Sequence, residues 1–262
     1  MNPVSVKITY VGGPTCLLEF GGLRFLTDPT FDPPGGDYTT GPVTLHKLVG
    51  PGLTAEQLGA FDYVLLSHDH HFDNLDRAGR AALPQAKSVI TTAEGASRLG
   101  GNSLGLNDWE SIDLPTQNGK TVRVVATPAR HGPAGLHRGA VNGFLLFLRE
   151  FPDQSIYILG DTVWYEGVAE VAKRYTVRIV VLHLGAAKVA EVGPFHLTMT
   201  AAEGIETANA FSNATVVPIH FEDWRHFSEG REDIARTFKE AGLTERLLWP
   251  ERGKAIEVSM VP

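Results

Sequence analysis

The chain is short of cysteine: its one thiol, Cys16, excludes an internal disulfide and suits a reducing, cytoplasmic compartment. No apolar run reaches the roughly 18 residues needed to cross a bilayer, so no membrane span is expected. The opening MNPVSVKITYVGG lacks a basic segment followed by an apolar one, so it does not have the form of a signal peptide. No Lys/Arg run is present and the net charge is −7, which argues against a nucleic-acid partner. A G-x-S-x-G elbow is missing and Cys16 has no evident histidine partner, so a covalent nucleophile is not supported. Gly12-Gly13-Pro14 reads as a turn between strands rather than a phosphate loop. No linker rich in Pro, Gly and Ser divides the chain and no short repeat runs through it, so residues 1–262 read as one domain.

What is there is a succession of short β-type runs. Val4–Tyr10, Cys16–Phe20 and Leu23–Thr27 predict an opening meander with Gly21-Gly22 as its tight turn. Further strands are expected at Tyr63–Leu66, Ser88–Thr92, Val122–Ala126, Phe144–Leu148, Ile156–Leu159, Ile179–Leu182, Val216–Ile219 and Ile256–Met260. Thr54…Gln57, Thr91…Glu94 and Thr200…Glu203 fit capping boxes. Helices are also expected at Glu166–Tyr175 and over 231–241, where Ile234 and Phe238 share a face. Residues 28–44 read as a long loop bordering a site. The fold class is mixed α/β, two sheets with outer helices.

Histidine is the unusual component: there are ten, clustered in part as SHDHHFDN at 67–74. Just past the strands stand Asp28, His68 and His70, His131, Asp161, His183 and His220. Strands that release such residues at one edge converge them on one cleft. His68 and His70, two apart in extended chain, can face one ion, and His131 would be its third imidazole, a pattern of catalytic zinc. Asp73 and His220 could hold a second ion with Asp161 bridging both. Asp28 either orients a ligand histidine or is a turn residue before Pro29. His183 and His226 are the candidate proton-transfer histidines, with Asp73 to orient the attacking water; His196 lies near the same edge. Trp164, Tyr165 and Trp224 either line the cleft or pack, His46 and His137 read as loop residues, and Cys16 as a small buried hydrophobe.

The ordered set His68-x-His70, Asp73, His131, Asp161, His220 resembles the metallo-β-lactamase-fold hydrolases. Leu26-Thr-Asp-Pro29, Ser67-His-Asp-His70, Pro128-Ala-Arg-His131, Gly160-Asp-Thr162, Met199-Thr200 and Val217-Pro-Ile-His220 are similar to the branch containing L-ascorbate-6-phosphate lactonase and phospholipase-D-like hydrolases. The resemblance spans nearly the whole chain. It implies a four-layer αβ/βα sandwich with metals at one edge of the paired sheets. The family pattern H-x-H-x-D-H is interrupted here by an extra residue. If Asp73-Asn74 aligns with the family's Asp-His, Asn74 replaces a ligand histidine, with an amide oxygen that suits a harder ion such as Mn²⁺. Alternatively His71 is the substitute, or only the three-histidine site is filled.

The expected activity is hydrolysis of an ester, lactone or phosphodiester of a small molecule by a hydroxide generated on one or two divalent ions, zinc or manganese. The alternatives are an iron-dependent oxidoreductase on the same fold and a non-catalytic metal- or ligand-binding protein. Substrate identity and oligomeric state have no signature in the chain.

Overall fold

Alternating apolar residues build two facing sheets in the computed structural model, which describes residues 4–136 and 138–260. The chain opens as the expected meander of β1 (Val4–Gly12), β2 (Thr15–Phe20) and β3 (Leu23–Thr27). Gly21 and Gly22 turn it with φ of 62° and 88°, the paired left-handed conformations of a type I′ hairpin. A small hairpin of β4 (Asp37–Thr40) and β5 (Val43–His46) and a short helix α1 (Ala55–Leu58) follow. Parallel crossovers come next: β6 (Tyr63–Leu65), α2 (Arg77–Ala82), β7 (Ser88–Thr92), α3 (Ala93–Leu99) and β8 (Ser103–Leu106). The second sheet starts with β9 (Ser111–Pro115), β10 (Thr121–Pro128), β11 (Asn142–Leu148) and β12 (Ser155–Ile158). It continues through α4 (Glu166–Arg174), β13 (Val177–His183), α5 (Ala201–Ala210) and β14 (Thr215–Ile219). After α6 (Arg231–Glu240), β15 (Ala255–Met260) returns to pair with β1.

The sheet orders are β15-β1-β2-β3-β6-β7-β8 and β14-β13-β12-β11-β10-β9. Each is mixed, antiparallel on one side and parallel on the other. The period of two sorts the side chains into layers. Val6, Ile8, Leu18 and Phe25 of one sheet meet Val124, Leu146, Ile156 and Val181 of the other in a central core. Between these, Val125, Leu145, Tyr157 and Val180 face outward onto α4, α5 and α6. On the far side Leu17, Leu26, Val64 and Val89 face α1 and α2. The result is the four-layer sandwich that the resemblance implies.

Three local expectations give way. The segment 28–44 is not all loop, because residues from Asp37 onward pair with Val43–His46 across a Gly41-Pro42 turn. The capping hydroxyl before α3 belongs to Thr92, which accepts from the Gly95 N–H, whereas Thr91 stays in the ladder opposite Gly105. Strands β8 and β9 and helix α2 carry too little periodicity to stand out: β9 shows one fully buried residue, Leu114.

Helix α2 is held by charge. Asp76 caps it by accepting from the Gly79 N–H, and also accepts from the N–H groups of Phe31 and Asp32. Its second oxygen meets Lys47 Nζ at 2.8 Å with both side chains buried. Asp32 in turn accepts from Ala78 N–H and from Tyr38 Oη–H, which ties in the β4–β5 hairpin. Removing one member of a buried ion pair leaves an uncompensated charge. Lys47→Met should therefore lower unfolding stability by roughly 3 kcal/mol, read as a fall in the urea midpoint; an unchanged midpoint would show that the three N–H donors suffice for Asp76.

Candidate metal centre

Parallel strands place their C-terminal ends at one edge, and β3, β6, β10, β12, β13 and β14 end there. His131 follows β10 and donates from Nδ1 to the Leu197 carbonyl at 2.9 Å, which leaves the Nε2 lone pair facing the cleft. His68 engages Ser67 Oγ through Nδ1 at 2.9 Å, while the Ser67 N–H donates to Asp28 Oδ1 at 2.6 Å. Asp28 thus steadies the backbone before His68, and its other oxygen lies 3.6 Å from His183 Nε2.

His68 Nε2 and His131 Nε2 both lie 3.1 Å from His71 Nδ1. His70 has its ring beside them, 4.8 Å and 4.4 Å from the His68 and His71 ring centres. Its Nε2–H donates to the Arg138 carbonyl at 2.6 Å, which leaves Nδ1 buried without a partner and, as with His131, able to ligate through the other nitrogen. His71 Nδ1 is the imidazole nitrogen that stands close to both His68 and His131, while His70 shares a donor group with His68 and His71.

Three groups bring their ligand atoms within 4.8 Å of one another: His68, His70 and His71; His68, His131 and Asp161; Asp73, Asp161 and His220. Asp161 belongs to two of them. Its backbone is aimed by Gly160, whose φ is 65° and where a Cβ would approach the Asn142 carbonyl to 2.7 Å. His220 itself takes φ 58°, a conformation costly for a non-glycine residue. Asp161 Oδ1 is 2.9 Å from His220 Nδ1 and Oδ2 is 3.7 Å from His131 Nε2. None of these approaches has the in-line geometry of a hydrogen bond, so both Asp161 oxygens and both His220 nitrogens are buried without a partner. Unused oxygen and imidazole donors facing one buried space fit divalent metal ions. Asn74, fully buried next to Asp73, turns Nδ2 toward Ser67 Oγ at 3.5 Å and leaves Oδ1 unpartnered.

Charge and burial set the protonation states. Burial lowers the His68, His71 and His131 imidazoles, His71 to about 3, so all three are neutral and able to ligate. Burial opposes ionisation of Asp73, but the His226 hydrogen bond and the His226 and His220 charges outweigh it and bring the carboxyl down to about 2. Asp161 is held far below the carboxylate range against its burial, chiefly by His220. Burial disfavours the His220 cation, yet Asp161 prevails and raises that imidazole to about 9. Burial raises the Asp28 carboxyl, with His183 opposing.

The remaining candidates divide. His226 Nε2 meets Asp73 Oδ2 at 3.0 Å and lines a cavity above the cluster with His71, Asp73 and His131. His183, expected at the cleft, is fully buried behind His220, ring centres 5.6 Å apart, and does not line that cavity. Trp224 packs edge-on to Tyr38 at 5.0 Å beneath the hairpin, and Trp164 packs against the outer core. Tyr165 lies under the Arg130 guanidinium, 4.3 Å from its ring centre, in a separate open depression. His196 pairs with Glu203 at 3.0 Å, and His46 with Asp37 at 2.7 Å. Cys16 is buried in β2 as expected, and His137 lies outside the described residues. Sequence reasoning missed Ser67, Phe72 and Arg138; SHDHHFDN draws the eye to ligands, and no pattern marks the residues that orient them. No helix among the described residues is long and apolar enough to cross a membrane.

Comparison with known proteins places this geometry. Residues 23–221 match the beta-lactamase superfamily domain. A UPF0173 metal-dependent hydrolase of Caldivirga maquilingensis is 24% identical over 232 residues, 87% of each chain. The isothiocyanate hydrolase from Delia radicum gut bacteria superposes with a TM-score of 0.79 at 24% identity, covering 97% of this chain and 99% of that one. CmlA, a diiron β-hydroxylase from Streptomyces venezuelae, superposes at 0.66 and 16% identity over 99% of this chain and 55% of its own.

The two neighbouring histidines should separate experimentally. His71→Ala should lower bound metal and leave the 132–141 backbone unchanged. His70→Ala should retain metal but speed amide exchange in 132–141 about tenfold or more, since the Arg138 carbonyl loses its donor. Elemental analysis and hydrogen exchange read the two effects, and the reverse pattern would make His70 the ligand.

Proposed function

The chain belongs to the beta-lactamase superfamily of metal-dependent hydrolases, and from that premise we propose that it hydrolyses an ester, lactone or phosphodiester bond of a small molecule. The observation that carries this reading is Asp161: a buried carboxylate common to two donor groups, with neither oxygen hydrogen-bonded. His68, His71 and His131 would hold one ion, zinc or manganese. Asp73 and His220 would hold the second, Asp161 would bridge, and His70 and Asn74 Oδ1 lie alongside. A dication bound there supplies Lewis acidity and lowers the pKa of water toward neutrality.

The chain's own groups do the rest. Asp73, ionised and fixed by His226, orients a water and takes its proton. His226 stands on the cavity wall with Nδ1 unpartnered; as the imidazolium it would hand the Nδ1 proton to the departing oxygen and regain one at Nε2 from the proton that Asp73 took. Asp28 holds the backbone before His68 and His183 packs behind the His220 ring, and neither lines the cavity. The net charge of −7 sets the protein against a polyanionic partner. The likeness to a diiron hydroxylase favours one second reading, iron at the same pair of sites, which metal analysis of the purified protein separates from zinc or manganese.

His68→Ala and His131→Ala should each lose bound metal and turnover against a panel of esters, lactones and phosphodiesters; full activity in either would remove that residue from the ligand set. His226→Gln should keep its metal and lose roughly 10²- to 10⁴-fold in kcat, the range for a proton-transfer group. Asn74→His should raise metal stoichiometry, and an unchanged ratio would turn Asn74 away from the second ion.

A further inference from the structure

The cavity above the cluster has a polar floor and apolar walls. Its floor is His71, Asp73, His131 and His226. Its walls come from three places: Val43 and Leu45 on the hairpin, Phe72 between the two floor residues, and Val189, Val192 and Leu197 on the segment between β13 and α5. Leu45, Phe72, Val189 and Val192 are only half-buried, so these walls present apolar surface to the opening.

One hydroxyl on the cavity is committed elsewhere. Tyr38 Oη donates to Asp32 Oδ2, and the Phe72 ring packs against Tyr38 at 5.3 Å with the Arg77 guanidinium over both. Among the described residues Arg138 is the one Lys or Arg that lines the cavity. A lone guanidinium among apolar side chains is no cradle for a polyphosphate. The space is also small, about 500 Å³ including its open mouth.

We propose that this cavity selects the substrate, and that it takes a slim, uncharged aliphatic or aryl group whose hydrolysable bond lies at the histidine floor. The proposal rests on the hydrolase reading for the reaction, but the selectivity is a property of the walls. The hairpin and the 187–197 segment grip the apolar group between Leu45 and Val192, while the floor meets the polar end. Branched groups are excluded by width, and polyanionic tails by walls that offer a single guanidinium among the described residues.

The experiment compares p-nitrophenyl acetate, butyrate, hexanoate and pivalate, and separately measures calorimetric binding of acetamide, butanamide and hexanamide. Burial of each methylene should raise kcat/KM and amide affinity roughly threefold to fourfold, and pivalate should fall below butyrate. Val192→Asp and Leu45→Asp, both at half-buried wall positions, should flatten the chain-length dependence while bound metal stays constant. Length-graded amide binding that Val192→Asp abolishes, with no ester, lactone or phosphodiester of the panel cleaved, would uphold the cavity and sink the hydrolase reading. Ester cleavage indifferent to chain length and to both aspartates would overturn the cavity proposal and leave the hydrolase standing. Failure of both series to show length dependence would overturn it as well.

Discussion

A carboxylate buried with no hydrogen bond is unstable unless positive charge stands beside it. Asp161 is such a group, and much of the fold around it serves to keep it in place. Gly160 supplies the left-handed turn out of β12, and Asn142 crowds in so closely that no side chain fits there. His220 accepts a left-handed backbone of its own to reach the same spot from β14. His131 and His68 arrive from opposite sheets, each with one nitrogen tied off by Leu197 and Ser67. The two sheets are thus joined twice, by an apolar core along their length and by a charge-dense cluster at one edge.

The strands were legible because both sheets are buried on two faces or alternate cleanly. Leu23–Thr27 and Ser88–Thr92 can be bounded to the residue from their composition. The hairpin at 37–46 was not, although Tyr38, Thr39, Thr40 and Val43 have strand character, because Pro33-Pro34-Gly35-Gly36 before it reads as loop. The difference between Thr91 and Thr92 as a cap depends on where β7 stops pairing, which is a tertiary fact.

The candidate site was legible as a set and less so in its connectivity. Counting residues from His68 leads to His70 by the alternation of extended chain, but 67–71 is not extended. The chain bends there, and His71, one position later, also comes within 3.1 Å of His68 and His131. His70 fixes the loop that carries Arg138 through its Nε2–H and keeps Nδ1 without a partner. Local spacing rules hold only while the backbone keeps the conformation that they assume.

The knot of Lys47, Asp76 and Asp32 lies at the base of the hairpin, whereas Val43 and Leu45 look into the cavity from higher up. Foundation and lining are therefore written in different residues. Under mutation the lining can drift while the foundation holds its pose, so descendants of this chain have a route to new diets in which the reactive floor is inherited intact.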